Sequence, residues 1–312
     1  MMKFAFAIIA IVALLIIFGV HGFAQHTLKS PVIGKAAKDM RPERTKNICV
    51  TFDDLPAERI YGKKERKQIN DAILAALKKH NIPAAGFVIG DNVEGDWAIV
   101  VKWLENGNTI GFMPYSGQEF EIIPIDMFID DIAKGMQTIE NIVSSYNQDG
   151  RYFRFPFLNY GADRDDRLQV LEFLHVSEVS IAHASVVAED FVYDLSLEKM
   201  INSSDSSKFA ELCEEYINHI LERLADAESS ALEIMNRPIR QIMTLHANQL
   251  NAMFLDQIIS AIADKGYNFI SLKEALQDNV YQKEDAYYGK KGVSFLERIK
   301  LSNPDLIPAS EE

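Results

Sequence analysis

Cysteine is nearly missing from this chain: Cys49 and Cys213 are the only two in 312 residues. That excludes a disulfide scaffold and a cysteine-built metal cluster. Cys49 sits in an apolar run and Cys213 in a helix-patterned stretch, so two free, buried thiols are expected rather than a bridge. Basic charge is also short, with 32 Lys and Arg against 45 Asp and Glu and a formal net charge of −13. An acidic chain with no basic stripe excludes nucleic acid as a partner. No low-complexity tract or internal repeat is present, which excludes a solenoid or propeller. One long apolar run exists, Phe4 to Phe18. It follows Lys3 and precedes small residues at Gly22 and Ala24, which predicts a signal peptide over residues 1–24, cleaved after Ala24. The run falls short of the roughly 20 residues a membrane span prefers. Export to the periplasm or outside the cell is expected, with no stable span after cleavage; a retained anchor is the alternative.

What remains is enough for one large core, since 48% of the residues are hydrophobic. Residues 25–46 are polar and basic with two prolines, an exposed lead-in. Apolar runs then alternate with helix-period stretches. Asn47–Phe52, Ala84–Ile89, Thr109–Met113, Tyr152–Phe155, Val179–Val187, Gln241–Leu245 and Tyr267–Ile270 read as strands. Glu65–Asn81, Asp96–Asn106, Pro124 to about Asn147, Asp163–His175 and Asn251–Lys265 read as helices between them. An insertion over 198–238 holds an amphipathic helix, Phe209–Met235, whose apolar face is expected to pack on the barrel. The stretch 278–312 reads as a polar tail wrapping the surface. Seven strands alternating with helices predict an α/β fold, a distorted seven-stranded (β/α) barrel, with a doubly wound sheet as second choice. In either, chemistry belongs at the C-terminal strand ends.

Polar residues gather at those ends. Thr51-Phe52-Asp53-Asp54 closes the first strand, with Pro56 beyond. Alone, such a pair is a solvated Asp-Asp turn, and two adjacent anions raise each other's pKa unless a cation or metal sits between them. Arg154 closes the fourth strand in Phe153-Arg154-Phe155-Pro156, Asp190 follows the fifth, and His246 follows the sixth in Met243-Thr244-Leu245-His246.

In this order the residues resemble the polysaccharide deacetylase family, whose shared unit is the NodB homology domain. The resemblance runs over about 47–277. It implies a distorted (β/α) barrel that hydrolyses acetyl amide bonds of N-acetylated glycans, such as peptidoglycan or an exopolysaccharide, with a divalent metal, usually zinc. Carried over by position, it implies Asp53 as general base, Asp54 as metal ligand, and Arg154 as the cation orienting Asp53. His246 would be the general acid, held charged by Asp190, and Leu245, Tyr115 and Pro156 would contact substrate. The family's second motif, two histidines four apart that bind zinc, falls here on Met113 and Gly117, within Phe112-Met113-Pro114-Tyr115-Ser116-Gly117. A thioether and a glycine cannot replace two imidazoles on zinc. His183, inside an apolar run, reads as a buried, hydrogen-bonded residue rather than a substitute ligand. An impaired deacetylase is therefore expected, with a non-catalytic glycan-binding or regulatory protein as the alternative.

Overall fold

Ten residues, Lys46–Leu55, form β1, and the sheet is laid down on both sides of it. The structure, a computed structural model, describes residues 46–203 and 207–303. The expected signal peptide and all of the lead-in before Lys46 lie outside the described residues. β1 reads Cys49 to Asp53 without a break in burial, as a strand covered on both faces does.

The other strands are β2 (Ala84–Val88), β3 (Thr109–Phe112), β4 (Tyr152–Phe153), β5 (Ser180–Ile181), β6 (Val186–Val187), β7 (Arg240–His246) and β8 (Tyr267–Phe269). All pairings are parallel, in the order β5-β4-β3-β2-β1-β7-β6, with β8 beside the first residues of β1. This is the distorted seven-stranded (β/α) barrel expected. The fifth strand is the source of the distortion: Val179–Val187 breaks into β5, which pairs with β4, and β6, which pairs with β7. The four residues between them carry the chain from one edge of the curled sheet to the other. The Ala182 N–H donates to the Phe153 carbonyl and the Ser185 N–H to the Ile242 carbonyl.

The helices are α1 (Lys63–His80), α2 (Trp97–Glu105), α3 (Ile125–Ser144), α4 (Arg164–Val176), α5 (Asp190–Asn202), α6 (Phe209–Met235), α7 (Gln249–Asp264) and α8 (Phe295–Leu301), besides two single turns at Gly90–Val93 and Leu272–Ala275. Their ends follow local rules. Asn81 stops α1 in the left-handed region, and Asp163 and Asn248 cap α4 and α7 by accepting from backbone N–H groups. α6 buries Leu212, Tyr216, Ile220, Leu224, Ala227 and Ala231, so its apolar stripe is spent on the barrel. No helix among the described residues is long and apolar enough to cross a membrane.

Two expectations change. α5 begins at Asp190, so the helical insertion starts earlier than residue 198. The C-terminal stretch does not simply wrap the surface: Val280, Tyr281, Phe295, Leu296 and Ile299 join the core, and the Phe295 N–H donates to Ala184 O at 2.7 Å, in the break between β5 and β6. Both cysteines are free; Cys49 is buried and Cys213 half-buried.

Candidate active site

Strand register sets Asp53 beside His246 at the C-terminal ends of β1 and β7. β1 and β7 run in parallel with Thr51 opposite Thr244, Phe52 opposite Leu245 and Asp53 opposite His246. Side chains alternate along a strand, so Thr51 and Asp53 share one face. Both reach partners there: Thr244 Oγ1 donates to Asp53 Oδ2 at 2.9 Å, and Arg154 Nη2 donates to Thr51 Oγ1 at 2.9 Å. Thr51 passes the chain on by donating to Met243 O at 2.9 Å. Arg154 is fully buried, stacked 4.6 Å over the Phe87 ring, with Nε 3.6 Å from Asp53 Oδ1. That ion pair is close but not hydrogen-bonded. Among the described residues, Asp53 Oδ1 and Arg154 Nε and Nη1 are buried atoms with no hydrogen-bond partner.

The other side of the mouth is saturated. Asp190 is the first residue of α5 and fully buried. Its Oδ1 lies 2.6 Å from His246 Nδ1, and its Oδ2 accepts from the His246 N–H at 2.7 Å, Asn251 Nδ2 at 2.5 Å and Asn248 Nδ2 at 3.3 Å. Asn251 also donates to His246 O at 2.9 Å and accepts from Tyr216 OH at 2.9 Å. Burial disfavours the imidazolium, but the Asp190 carboxylate outweighs it, with Asp54 and Asp53 adding, and His246 is held well above the ordinary histidine range. Burial likewise opposes the Asp190 anion, yet the charge and hydrogen bonds of His246, with Asn251, hold its carboxyl below the usual range. Nδ1 facing Asp190 leaves Nε2 as the nitrogen free to meet a substrate.

Asp54 is half-buried in the left-handed region, φ 64°, so the chain turns there and the two aspartates part. Burial pushes its carboxyl up to about 6; His246 pulls it down and Asp53 adds to the rise. The substrate-contact residues are brought in less fully. Leu245 is fully buried opposite Phe52, next in the strand to Thr244, and so stands on the face away from Asp53. Tyr115 packs its ring on Gly90, with Lys134 Nζ 3.4 Å from the ring centre. Pro156 is buried and opens a 3-10 turn, Pro156–Leu158, that exposes Phe157 by 72%.

The donor set for zinc fails a direct test. Met113 is 2% exposed, its N–H bonded to Val88 O. Gly117 has φ +71°, and a Cβ there would stand 2.9 Å from Ile89 Cδ1. Among the described residues no three His, Cys, Asp or Glu side chains converge to hold a metal ion. Zinc takes three or four such ligands, so the residues present do not fit it. His183 accounts for itself elsewhere: its Nδ1 lies 2.8 Å from Tyr160 OH and its ring 3.9 Å from that of Phe295. Burial, with Arg154 and Arg298, pushes it down to about 3, so it is a neutral core histidine.

Thr51, Thr244, Asn248, Asn251 and Tyr216 were not singled out from sequence. Thr244 could have been found, since it lies one alternation from His246 and pairs in register with Thr51. Asn248 and Asn251 carry the three-residue spacing of a helix cap turned back on the strand end. Tyr216 carries no local signal, being 35 residues from Asn251 on another helix.

Residues 40–176 match the model of the family described as polysaccharide deacetylase. No curated protein matches the chain. Among solved structures, a CE4 family pseudoenzyme from Bacillus anthracis, BA3943, superposes with a TM-score of 0.51 at 18% identity, covering 75% of this chain and 67% of that one. The polysaccharide deacetylase Bc1974 from Bacillus cereus superposes with a TM-score of 0.52 at 16% identity, over 72% of this chain and 91% of that one. The Bc1960 peptidoglycan N-acetylglucosamine deacetylase gives 0.51 at 20% identity, over 74% and 89%. Likenesses this remote speak for the fold, and they agree with the curled parallel barrel. By that fold, and by the family-model match over residues 40–176, the chain resembles the polysaccharide deacetylase family.

Proposed function

We propose that this protein receives an N-acetylated glycan, such as peptidoglycan or an exopolysaccharide, at the mouth that holds Asp53 and His246, and that hydrolysis of the acetyl amide is impaired. The impairment follows from Met113 and Gly117 standing where the family resemblance calls for two zinc-binding histidines. One observation carries the reading: Asp53 and a charged His246 stand in register on neighbouring strands, while no set of three metal donors converges among the described residues.

The chain's own groups outline the chemistry that is left. Asp53 accepts a proton from a water whose oxygen attacks the acetyl carbonyl carbon. His246 Nε2 gives its proton to the amide nitrogen as the C–N bond breaks, releasing acetate and an amine. Arg154 stands beside Asp53, and Asp190 orients the imidazole. A metal Lewis acid is worth several kcal/mol in such reactions, and each ~1.4 kcal/mol is tenfold in rate, so turnover without one is slow. Supporting this, BA3943 shows that the fold exists as a pseudoenzyme, and a mutant of that protein has restored enzymatic activity.

The test is acetate release from N-acetylglucosamine oligomers with added zinc, cobalt or manganese, beside Asp53→Asn. Slow or absent release, unchanged by chelator, is expected. Rapid release abolished by chelator and by Asp53→Asn contradicts the impairment. A glycan-binding or regulatory role is the second reading, favoured by the same Met113 and Gly117; oligomer binding with no release under any metal selects it. Export belongs to the same proposal and rests on the Phe4–Phe18 run with Gly22 and Ala24. N-terminal sequencing of the secreted fraction, starting at Gln25, checks it.

A further inference from the structure

The loop after β4 is held in a costly conformation. Phe157 and Leu158 have φ 53° and 54°, two consecutive non-glycine residues in the left-handed region, and such strain persists only where the surroundings over-determine it. The surroundings here are the C-terminal segment. Arg167 on α4 donates from Nε to Tyr160 O at 3.0 Å and from Nη2 to Gly161 O at 2.7 Å, pinning the far end of the loop. The same guanidinium reaches Tyr287 O and, at 3.4 Å, Asp285 O. Arg298 on α8 is fully buried, donates from Nε to Asp285 Oδ2 at 2.7 Å and from Nη2 to Tyr287 O at 2.9 Å, and lies 4.0 Å over the Tyr160 ring. The middle of the loop is held too, because the Gly292 backbone lies so close to the Phe157 carbonyl that no Cβ fits between them.

A purely architectural role accounts poorly for these contacts. The buried Val280, Tyr281, Phe295, Leu296 and Ile299 already tie the segment to the core. The stretch between, 283–292, has no buried residue, so its bonds to the loop fix a conformation rather than bury apolar surface. What that conformation presents is Phe157, exposed at the C-terminal mouth three residues beyond Arg154.

We propose that Asp285, Arg298, Arg167 and Gly292 form a clamp, a positioning element of the glycan site, which holds Pro156–Gly161 so that Phe157 offers its ring to the glycan. The clamp itself rests on geometry; its consequence for binding rests on the glycan reading above.

The experiment uses the full chain with Asp285→Asn, Gly292→Ala, Phe157→Ala and the double variant Asp285→Asn with Phe157→Ala. Amide hydrogen exchange is followed at Leu158, Asn159 and Gly161, and Kd is measured for an N-acetylglucosamine oligomer. Asp285→Asn and Gly292→Ala are expected to speed loop exchange about tenfold or more while β1 and β7 amides keep their protection. Each weakens oligomer binding about tenfold, and in the Phe157→Ala background Asp285→Asn adds nothing, the non-additivity of residues acting through one contact. Unchanged loop exchange overturns the clamp, and additive losses of affinity overturn its action through Phe157. Should Gly292→Ala not fold, Asp285→Asn decides the same points. Should the wild type bind no oligomer, the glycan reading fails with the consequence drawn from it, while loop exchange still decides the clamp.

Discussion

The two halves of the mouth are built to different standards. On the His246 side each Asp190 oxygen is bonded: Oδ1 to the imidazole, Oδ2 to a backbone N–H and two asparagine amides. On the Asp53 side, Oδ1 of the carboxylate and two nitrogens of its guanidinium partner are buried and unbonded. The positions beyond, Met113 and Gly117, bring a core thioether and no side chain. The His246 half is thus preorganised and the half that faces a metal in the family resemblance is not, although Asp53 and His246 stand opposite one another in register. What separates them is the wiring around the strand ends rather than the barrel.

Breaking the saturated half has the largest expected effect. Asp190→Ala leaves His246 without its counter-ion and two asparagine amides without an acceptor, and costs about 3–5 kcal/mol in urea unfolding at pH 6. The pH dependence has a definite sign. Asp190, its carboxyl lowered in the fold, stabilises above about pH 4, and this is lost as pH falls through its folded value. His246, raised in the fold, stabilises fully below about pH 6.5, and this is lost as pH rises toward its folded value. Unfolding free energy should fall above about pH 6.5 in the wild type and lose that slope in Asp190→Asn.

On the less bonded half, Arg154→Met strands a buried Asp53 and costs about 3 kcal/mol, whereas adding Asp53→Leu recovers most of the loss, because replacing both partners of a buried pair by apolar groups of similar volume is often nearly neutral. A double variant as unstable as the single one would mean that Arg154 acts through packing on Phe87 alone. Asn251→Leu removes donors to Asp190 and to the His246 carbonyl at once and is expected to cost about 2 kcal/mol, read by the same unfolding curves. The smallest effect belongs to Asp54. Its carboxyl, raised to about 6 by burial, holds more protons folded than unfolded between about pH 4 and 6, so stability falls across that window as pH rises. Asp54→Asn should remove that fall and stabilise the protein by about 1 kcal/mol at pH 7, with no gain at pH 4.

The barrel was legible because its signals are local: a buried run such as Cys49–Phe52 and a helical period such as Ile69, Ile73, Leu74 and Leu77 need no distant partner to be read. The quartet Asp53, Arg154, Asp190 and His246 was legible by position, since strand ends are where such a fold gathers polar groups, and the structure does bring the four to one mouth. The residues that wire them were not. Tyr216 and Asn251 meet only when α6 packs on α7, and Arg298 meets Tyr160 only when the C-terminal segment enters the gap between β5 and β6. Leu245 shows the opposite failure. The family resemblance set it against substrate, while strand alternation turns it to the face of Phe52 and gives Thr244 the place beside Asp53.

The mouth is proposed to keep its His246 half without a zinc site. The most direct measurement is the zinc content of the purified protein after loading with excess zinc and desalting, with thermal unfolding followed alongside. Well under a tenth of an equivalent and no rise in Tm are expected, since among the described residues fewer than the roughly three protein ligands zinc requires converge. One tightly held equivalent that raises Tm and is lost in Asp54→Asn would contradict the account.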